Sequence, residues 1–376
     1  MSQCCPRQHR ASLVRDHRYG EEPGLISKLY SFSFHVLIMV TLVGCSMAEL
    51  EKLATEKDYN KSSSSKYRDP DSTQKVGDEL LTAESIILGG SQSMGGYAGQ
   101  FQRMFIGKED EIKLIEPVAV GGTEGLLYIV DAGAKIVYKY DLAVDDIVPI
   151  KDIAVHFKGN MGKIYVATDR SFYIVDSVGK QVLHFSEMGE LKTRFQDFAN
   201  LSRPVDVLVN EENGDVLVAD GSFSHIIVFN KLGKSVKAIG QRGTGPGRFR
   251  AITSLTRGED GLFLLDRLEL PAQVISLEGE YQYSFGESDL IFPTAIAVDQ
   301  DQRVYISDRS DNSIRVYQNG QLLKKFGGGG SAPGRFRIIT GLWVSGYLLY
   351  VADSLNARIQ VLRINPNAPV EIAPLN

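Results

Sequence analysis

The chain has 376 residues, of which 43% are hydrophobic and 23% charged, with a net charge of -5. That is apolar material for one large core or two ordinary ones, which excludes a wholly disordered chain. The negative balance gives no electrostatic drive toward nucleic acid or an anionic membrane surface.

The first segment reads as a targeting leader. Residues 1–31 carry five basic residues (Arg7, Arg10, Arg15, Arg18, Lys28) and three acidic ones, followed by an apolar run from Phe32 to Gly44. The run is too short to span a bilayer comfortably but fits a signal-peptide core. It ends in Leu42-Val43-Gly44-Cys45, which resembles the bacterial lipobox. The resemblance implies a signal segment over 1–45 cleaved just before Cys45, lipidation of Cys45 as the new first residue, and export to a bacterial membrane, the only membrane contact being the lipid. Ser46, a non-Asp residue, points by the same analogy to the outer membrane or cell surface. An uncleaved anchor or a buried strand is the alternative. Losing the leader takes the net charge to -7 and removes Cys4 and Cys5. With Cys45 acylated, the remainder has no free cysteine, so no disulfide framework and no thiolate metal site.

Residues 46–84 are rich in Lys, Glu, Asp and Ser, including Ser62-Ser63-Ser64-Ser65, and poor in aromatic and β-branched residues. Such a stretch cannot bury enough surface to fold alone and reads as a flexible polar tether.

From residue 85 to 376 one phrase recurs: an apolar strand ending in Asp. The copies are Tyr128-Ile-Val-Asp131, Leu217-Val-Ala-Asp220, Phe263-Leu-Leu-Asp266, Tyr305-Ile-Ser-Asp308 and Tyr350-Val-Ala-Asp353. A sixth, Tyr165-Val-Ala-Thr168, has Thr in the aligned place, and the successive spacings are 37, 52, 46, 42 and 45 residues. Periods near 40–45 residues match one four-stranded propeller blade. Before the copies stand strands opened by Pro117, Pro204 and Pro293, where no ladder donor is lost. After them come β-rich runs such as Ile226-Ile-Val-Phe229 and Ile314-Arg-Val-Tyr317, then fourth strands such as Val236-Lys-Ala-Ile239. Two connectors match closely, Gly240-Gln-Arg-Gly-Thr-Gly-Pro-Gly-Arg-Phe-Arg250 and Gly327-Gly-Gly-Gly-Ser-Ala-Pro-Gly-Arg-Phe-Arg337, and residues 89–101 form a third version. Their Phe residues are expected to insert between blades. The predicted fold is all-β: a six-bladed β-propeller of four-stranded blades. Ser85–Leu88, a fourth strand with no blade before it, is expected to complete the last blade and close the ring; Pro369–Ala373 is the competitor.

These phrases resemble the NHL-repeat and related six-bladed propeller lipoproteins of bacteria, over about residues 85–376. The resemblance implies fold more than function, since propellers host many activities. Two blades depart from the pattern: blade two lacks the aligned Asp, and blade four inserts Leu268-Glu-Leu-Pro271 before its third strand.

The repeated Asp131, Asp220, Asp266, Asp308 and Asp353 read as turn support. A short carboxylate after a strand accepts turn N–H groups, and an active site needs a residue once, not once per blade. Aligning the inner strands puts Ala119, Ala154, Asp206, Ser254, Ala295 and Gly341 in one ring around the channel. One carboxylate is a poor calcium cage, and His156, His184 and His225 show no zinc spacing. No metal or cofactor is expected. There is no Gly-x-Ser-x-Gly elbow and no phosphate loop, so no catalytic residue is assigned. Trp343 reads as core.

The remaining constellation is basic. Arg103, Arg194, Arg248, Arg250, Arg335 and Arg337 flank the connector Phe residues or their equivalents, on one rim of an otherwise acidic protein. Arg suits bidentate contact with carboxylates; local pairing of each Arg with a nearby Asp is the alternative. The leading expectation is a lipid-anchored binding or scaffolding module whose connector face meets a protein or other envelope partner. The alternative is a lactonase-like or lyase-like propeller enzyme with a degenerate metal site starting from Asp206 and Glu116. Nucleic acid is not an expected partner.

Overall fold

The computed structural model describes residues 80–91, 111–123 and 125–368. The leader, Cys45, most of the tether, Arg103, the body of the first connector and Pro369–Ala373 lie outside the described residues. Among the described residues no helix is long and apolar enough to cross a membrane.

The chain builds six blades in which the strands run antiparallel. The innermost strands are Pro117–Thr123, Ile164–Val166, Pro204–Asn210, Ile252–Gly258, Pro293–Val298 and Ile339–Ser345. Behind each stands the strand that ends in Asp, for example Asp215–Asp220 and Leu348–Asp353. These second strands are buried along almost their whole length, because both faces pack on neighbouring blades. That is why they read as unbroken apolar runs and not as alternating ones. Outer strands such as Ser235–Ile239 bury little more than one end. The first blade's sheet also carries two short additions, Gly89–Ser91 and Glu111–Lys113.

The fourth strand of the last blade comes from the other end of the chain. Leu81–Ile87 pairs antiparallel with Arg358–Ile364, from Leu81 opposite Ile364 to Ile87 opposite Ile359. It therefore starts inside the stretch read as tether. The polar composition of 46–84 hid Leu80 and Leu81, whose side chains are buried in the last blade's core.

Blade two corrects the repeat. Tyr165-Val-Ala-Thr168 is not its Asp strand; Ile164–Val166 is its short inner strand. The second strand is Phe172–Asp176, so the blade keeps its Asp, as Asp176. The uneven intervals of 37 and 52 become 45 and 44 (131 to 176, 176 to 220). The misreading arose because a β-rich inner strand followed by a Thr-Asp turn imitates the repeat phrase.

Five of the six inner strands share a bulge at their second residue: Pro117 faces Asp131 but Ala119 faces Val130, and the same slip recurs in blades three to six. A bulge re-aims the residue it releases. In the last three blades that residue is Thr, and its hydroxyl donates to the first carbonyl of the next inner strand: Thr253 to Pro293 at 3.1 Å, Thr294 to Ile339 at 3.1 Å, and Thr340 to Pro117 at 3.4 Å. The last of these joins blade six to blade one. Phe249 and Phe336 are fully buried, each between two consecutive blades. Their rings lie over Gly240 (φ +79) and Gly327 (φ +93), where an added Cβ would come within 2.8 and 2.5 Å of the ring. Both the left-handed backbone and the close approach require glycine there.

Candidate functional site

The six Asp carboxylates are at most 1% exposed and lie at the connector end of the propeller. Each accepts main-chain N–H groups. Asp220 takes Ser202 N (2.5 Å), Arg203 N (2.8 Å), Ser222 N (2.7 Å) and Phe223 N (2.7 Å). Asp131 takes Ile115 N, Glu116 N and Ala134 N at 2.7–3.0 Å. Asp176 takes Lys158 N and Gly179 N. Two of these bonds hold rim residues by their backbone: Arg250 N to Asp266 Oδ2 at 2.5 Å and Arg337 N to Asp353 Oδ1 at 2.6 Å. The carboxylates thus tie the turn before each inner strand to the turn after each second strand.

The channel ring differs from the expected one at one decisive place. Ala154 lies in a 3-10 turn, Ala154–His156, on the approach to blade two. The apolar Ile153-Ala-Val155 imitated a strand. The ring position belongs to Lys163, whose carbonyl accepts Val175 N at 3.0 Å beside the inner strand. The ring is therefore Ala119, Lys163, Asp206, Ser254, Ala295 and Gly341. Asp206 is 7% exposed; its Oδ2 accepts Ser254 Oγ (2.6 Å) and Leu255 N (3.0 Å), and its Oδ1 accepts Val207 N (2.9 Å). Burial pushes this carboxyl upward, against the field of Lys163 and those hydrogen bonds. Burial pushes the Lys163 amine below its ordinary range, against the field of Asp206. Lys163 crosses to the opposite blade, its Nζ 3.5 Å from Thr294 O.

Lys163 lines two cavities of the channel. A cavity of about 520 Å³ opens where the inner strands end and is lined by Lys163, Asp206, Ser254 and Trp343 among others. Trp343 is thus not simply core: it packs on Tyr350 (ring centroids 5.1 Å apart) and faces this cavity. At its mouth Glu211 accepts Tyr165 OH at 2.8 Å, and Arg257 reaches Glu212 at 3.6 Å and Asn210 Oδ1 at 3.2 Å. A second chamber of about 280 Å³ opens at the connector end, lined by Lys163 and Arg309 with mostly apolar neighbours. Glu116 is exposed and lines neither cavity, so it is not brought to Asp206.

On the connector face Arg194, Arg248, Arg250, Arg335 and Arg337 are all exposed. Arg194 Nη1 donates to Gln181 Oε1 (3.2 Å) and Arg335 Nη1 to Gly327 O (2.9 Å). None of the five forms an ion pair among the described residues. Sequence reasoning missed further basic groups here. Arg203 precedes Pro204, and Arg267 and Arg309 follow directly on Asp266 and Asp308; their guanidinium carbons stand 5.0 and 5.9 Å from the Phe292 ring centre. The signal was present as an Arg immediately after the strand Asp.

The histidines are dispersed. His156 sits 5.7 Å from the Phe185 ring, and His225 Nε2 contacts Asn200 O at 2.8 Å. His184 stacks on Tyr173 at 4.0 Å with Nε2 buried and unpartnered. Among the described residues no three His, Cys, Asp or Glu side chains converge as metal ligands would. Burial, with Lys192 assisting, pushes His184 down to about 4 from 6.5. The unfolded chain then binds the extra proton as pH falls between those values, so stability drops through that window. Urea midpoints measured at pH 7 and pH 4.5 are expected to differ less in His184→Phe, which keeps the stacking without the proton, than in the parent protein. Equal differences would rule out this linkage.

No protein-family model matches the chain, and no curated protein matches it. Solved structures do. An auxiliary nutrient binding protein from Bacteroides thetaiotaomicron aligns with a TM-score of 0.53 at 11% identity, covering 75% of each chain. A Bacteroides thetaiotaomicron protein of unknown function aligns at 0.51 and 15%, covering 76% of each. A catalytically inactive virginiamycin B lyase from Staphylococcus aureus, solved with quinupristin, aligns at 0.51 and 14%, covering 66% of this chain and 95% of that one. At such identities the likeness is one of fold, and that fold is the β-propeller.

Proposed function

We propose that this protein is a binding module, held to a bacterial envelope through Cys45, that presents its connector face to an acidic protein partner. One observation carries the reading: five exposed arginines share that face, and none has a carboxylate partner among the described residues. Surface charges left unpaired in a protein of net negative charge are suited to steering and registering an oppositely charged surface. The tether and lipid would let the propeller search a few nanometres from the membrane. A binding protein among the structural neighbours is compatible with this role, as is a lyase; the dispersed carboxylates and histidines favour the first.

The test is crosslinking of the anchored protein in its own envelope, followed by affinity measurement with the captured acidic protein. Changing Arg248 and Arg335 together to Ala is expected to weaken capture several-fold, with a reduced salt dependence and an unchanged melting curve. Capture equal to wild type removes the proposal.

A further inference from the structure

The chamber at the connector end has a composition unlike the rest of the channel. Its lining holds two ionisable residues, Lys163 at the floor and Arg309 at the mouth, both basic, and no carboxylate. Asp206, the one acid of the ring, lines the larger cavity and not this chamber. The hydroxyls of Ser177 and Thr340 donate to Pro204 O and Pro117 O, and that of Thr294 to Ile339 O, so they are committed to holding the blades together. The walls between floor and mouth are apolar: Val118, Val175, Val205 and Ile339.

Lys163 Nζ offers three donors, yet one carbonyl oxygen at 3.5 Å is the hydrogen-bond acceptor it has among the described residues. The field of Asp206 acts on this amine, but no carboxylate among the described residues accepts a hydrogen bond from it, so its donors are left poorly matched on the chamber side. Arg309 is exposed above it, lies near the Phe292 ring, and has no carboxylate partner among the described residues. Two basic groups with aliphatic wall between them match a ligand with a short methylene chain and two anionic ends, one of which would hold Lys163 protonated. Inorganic phosphate would meet one cation and leave the apolar wall in contact with water. A volume of about 280 Å³ accommodates such a small molecule.

We propose that this chamber is a site for a short aliphatic dicarboxylate, one carboxylate on Lys163 Nζ, the other on Arg309, the methylenes against the valines. The proposal does not rest on the docking of a partner, because Arg248 and Arg335 do not line the chamber.

Titration calorimetry of the purified full chain at low ionic strength tests it, with succinate and glutarate as probes and succinamide and inorganic phosphate as controls. Succinate or glutarate should bind with one site per chain and succinamide should not bind. Removing either charge-assisted hydrogen bond, in Lys163→Met or in Arg309→Gln, should weaken affinity at least about tenfold. Arg309 is exposed, so its variant reports even where Lys163→Met perturbs folding. The Arg248→Ala, Arg335→Ala protein should bind the probe as wild type does, which separates this site from the docking face. No dicarboxylate heat at millimolar concentration, equal binding of succinamide, phosphate competing as an equal, or full affinity in Arg309→Gln would each overturn the proposal.

Discussion

Asp220→Ala is expected to lose on the order of 4 kcal/mol of stability, read as a lowered urea midpoint with an unchanged slope. The carboxylate is fully buried and accepts four main-chain N–H groups at 2.5–2.8 Å, two on each oxygen. Alanine orphans all four at once, and a buried donor left without a partner costs about 1–3 kcal/mol. Water entering the space left by the carboxylate offsets part of this, which sets the expected loss below the simple total. Against a domain stability of about 5–15 kcal/mol, the loss is a large fraction. Asp220→Asn discriminates further. Its amide oxygen can serve one pair of N–H groups, while its NH₂ faces the other pair, so about half the loss is expected. A midpoint unchanged in Asp220→Ala would show that these bonds do not support the fold.

Phe336→Ala is expected to cost about 3–5 kcal/mol, and Phe336→Leu less than about 1.5 kcal/mol. The ring is fully buried between Ile314 and Val316 of blade five and Leu349 and Val351 of blade six. It meets Phe326 edge-on with centroids 6.3 Å apart. The connector cannot collapse into the vacated space, because its positive-φ glycines and the bond from Arg337 N to Asp353 hold it in place. The cavity term should therefore be near its full size. Phe336 and Asp220 belong to different blades, so the double variant should show the two losses added to within about 0.5 kcal/mol. A Phe336→Ala protein as stable as its parent would mean that the connector Phe does not lock neighbouring blades.

The channel shows where the repeat could mislead. Blade two has an inner strand of three residues, Ile164–Val166, preceded by a 3-10 turn whose apolar residues look like a strand. Placing the Asp one strand too early in that blade moved the ring by one element and put Ala154 where Lys163 stands. The interval of 52 residues between the second and third copies was the available warning, since the others lay between 37 and 46. With Phe172–Asp176 as the second strand, the intervals are even and the lysine falls into the ring.

Much of this protein was legible in its residues alone. Apolar runs ending in Asp, Pro-opened strands and Gly-Pro-Gly-x-Phe connectors specify a six-bladed propeller, because strand period, turn chemistry and blade length are local properties written every 42–46 residues. The basic connector rim was legible for the same reason, as Arg beside the connector Phe. What tertiary structure decided is non-local. The closing strand expected at Ser85–Leu88 runs instead over Leu81–Ile87 against Arg358–Ile364, an extent and register set between opposite ends of the chain. The reach of Lys163 to Thr294 spans the channel between opposite blades. The channel holds a chamber without carboxylates in its lining and a larger cavity lined by Asp206, with Lys163 lining both. A local pattern states which residues form strands; which charges end up facing one another, and with what left unpaired, depends on how the ring closes.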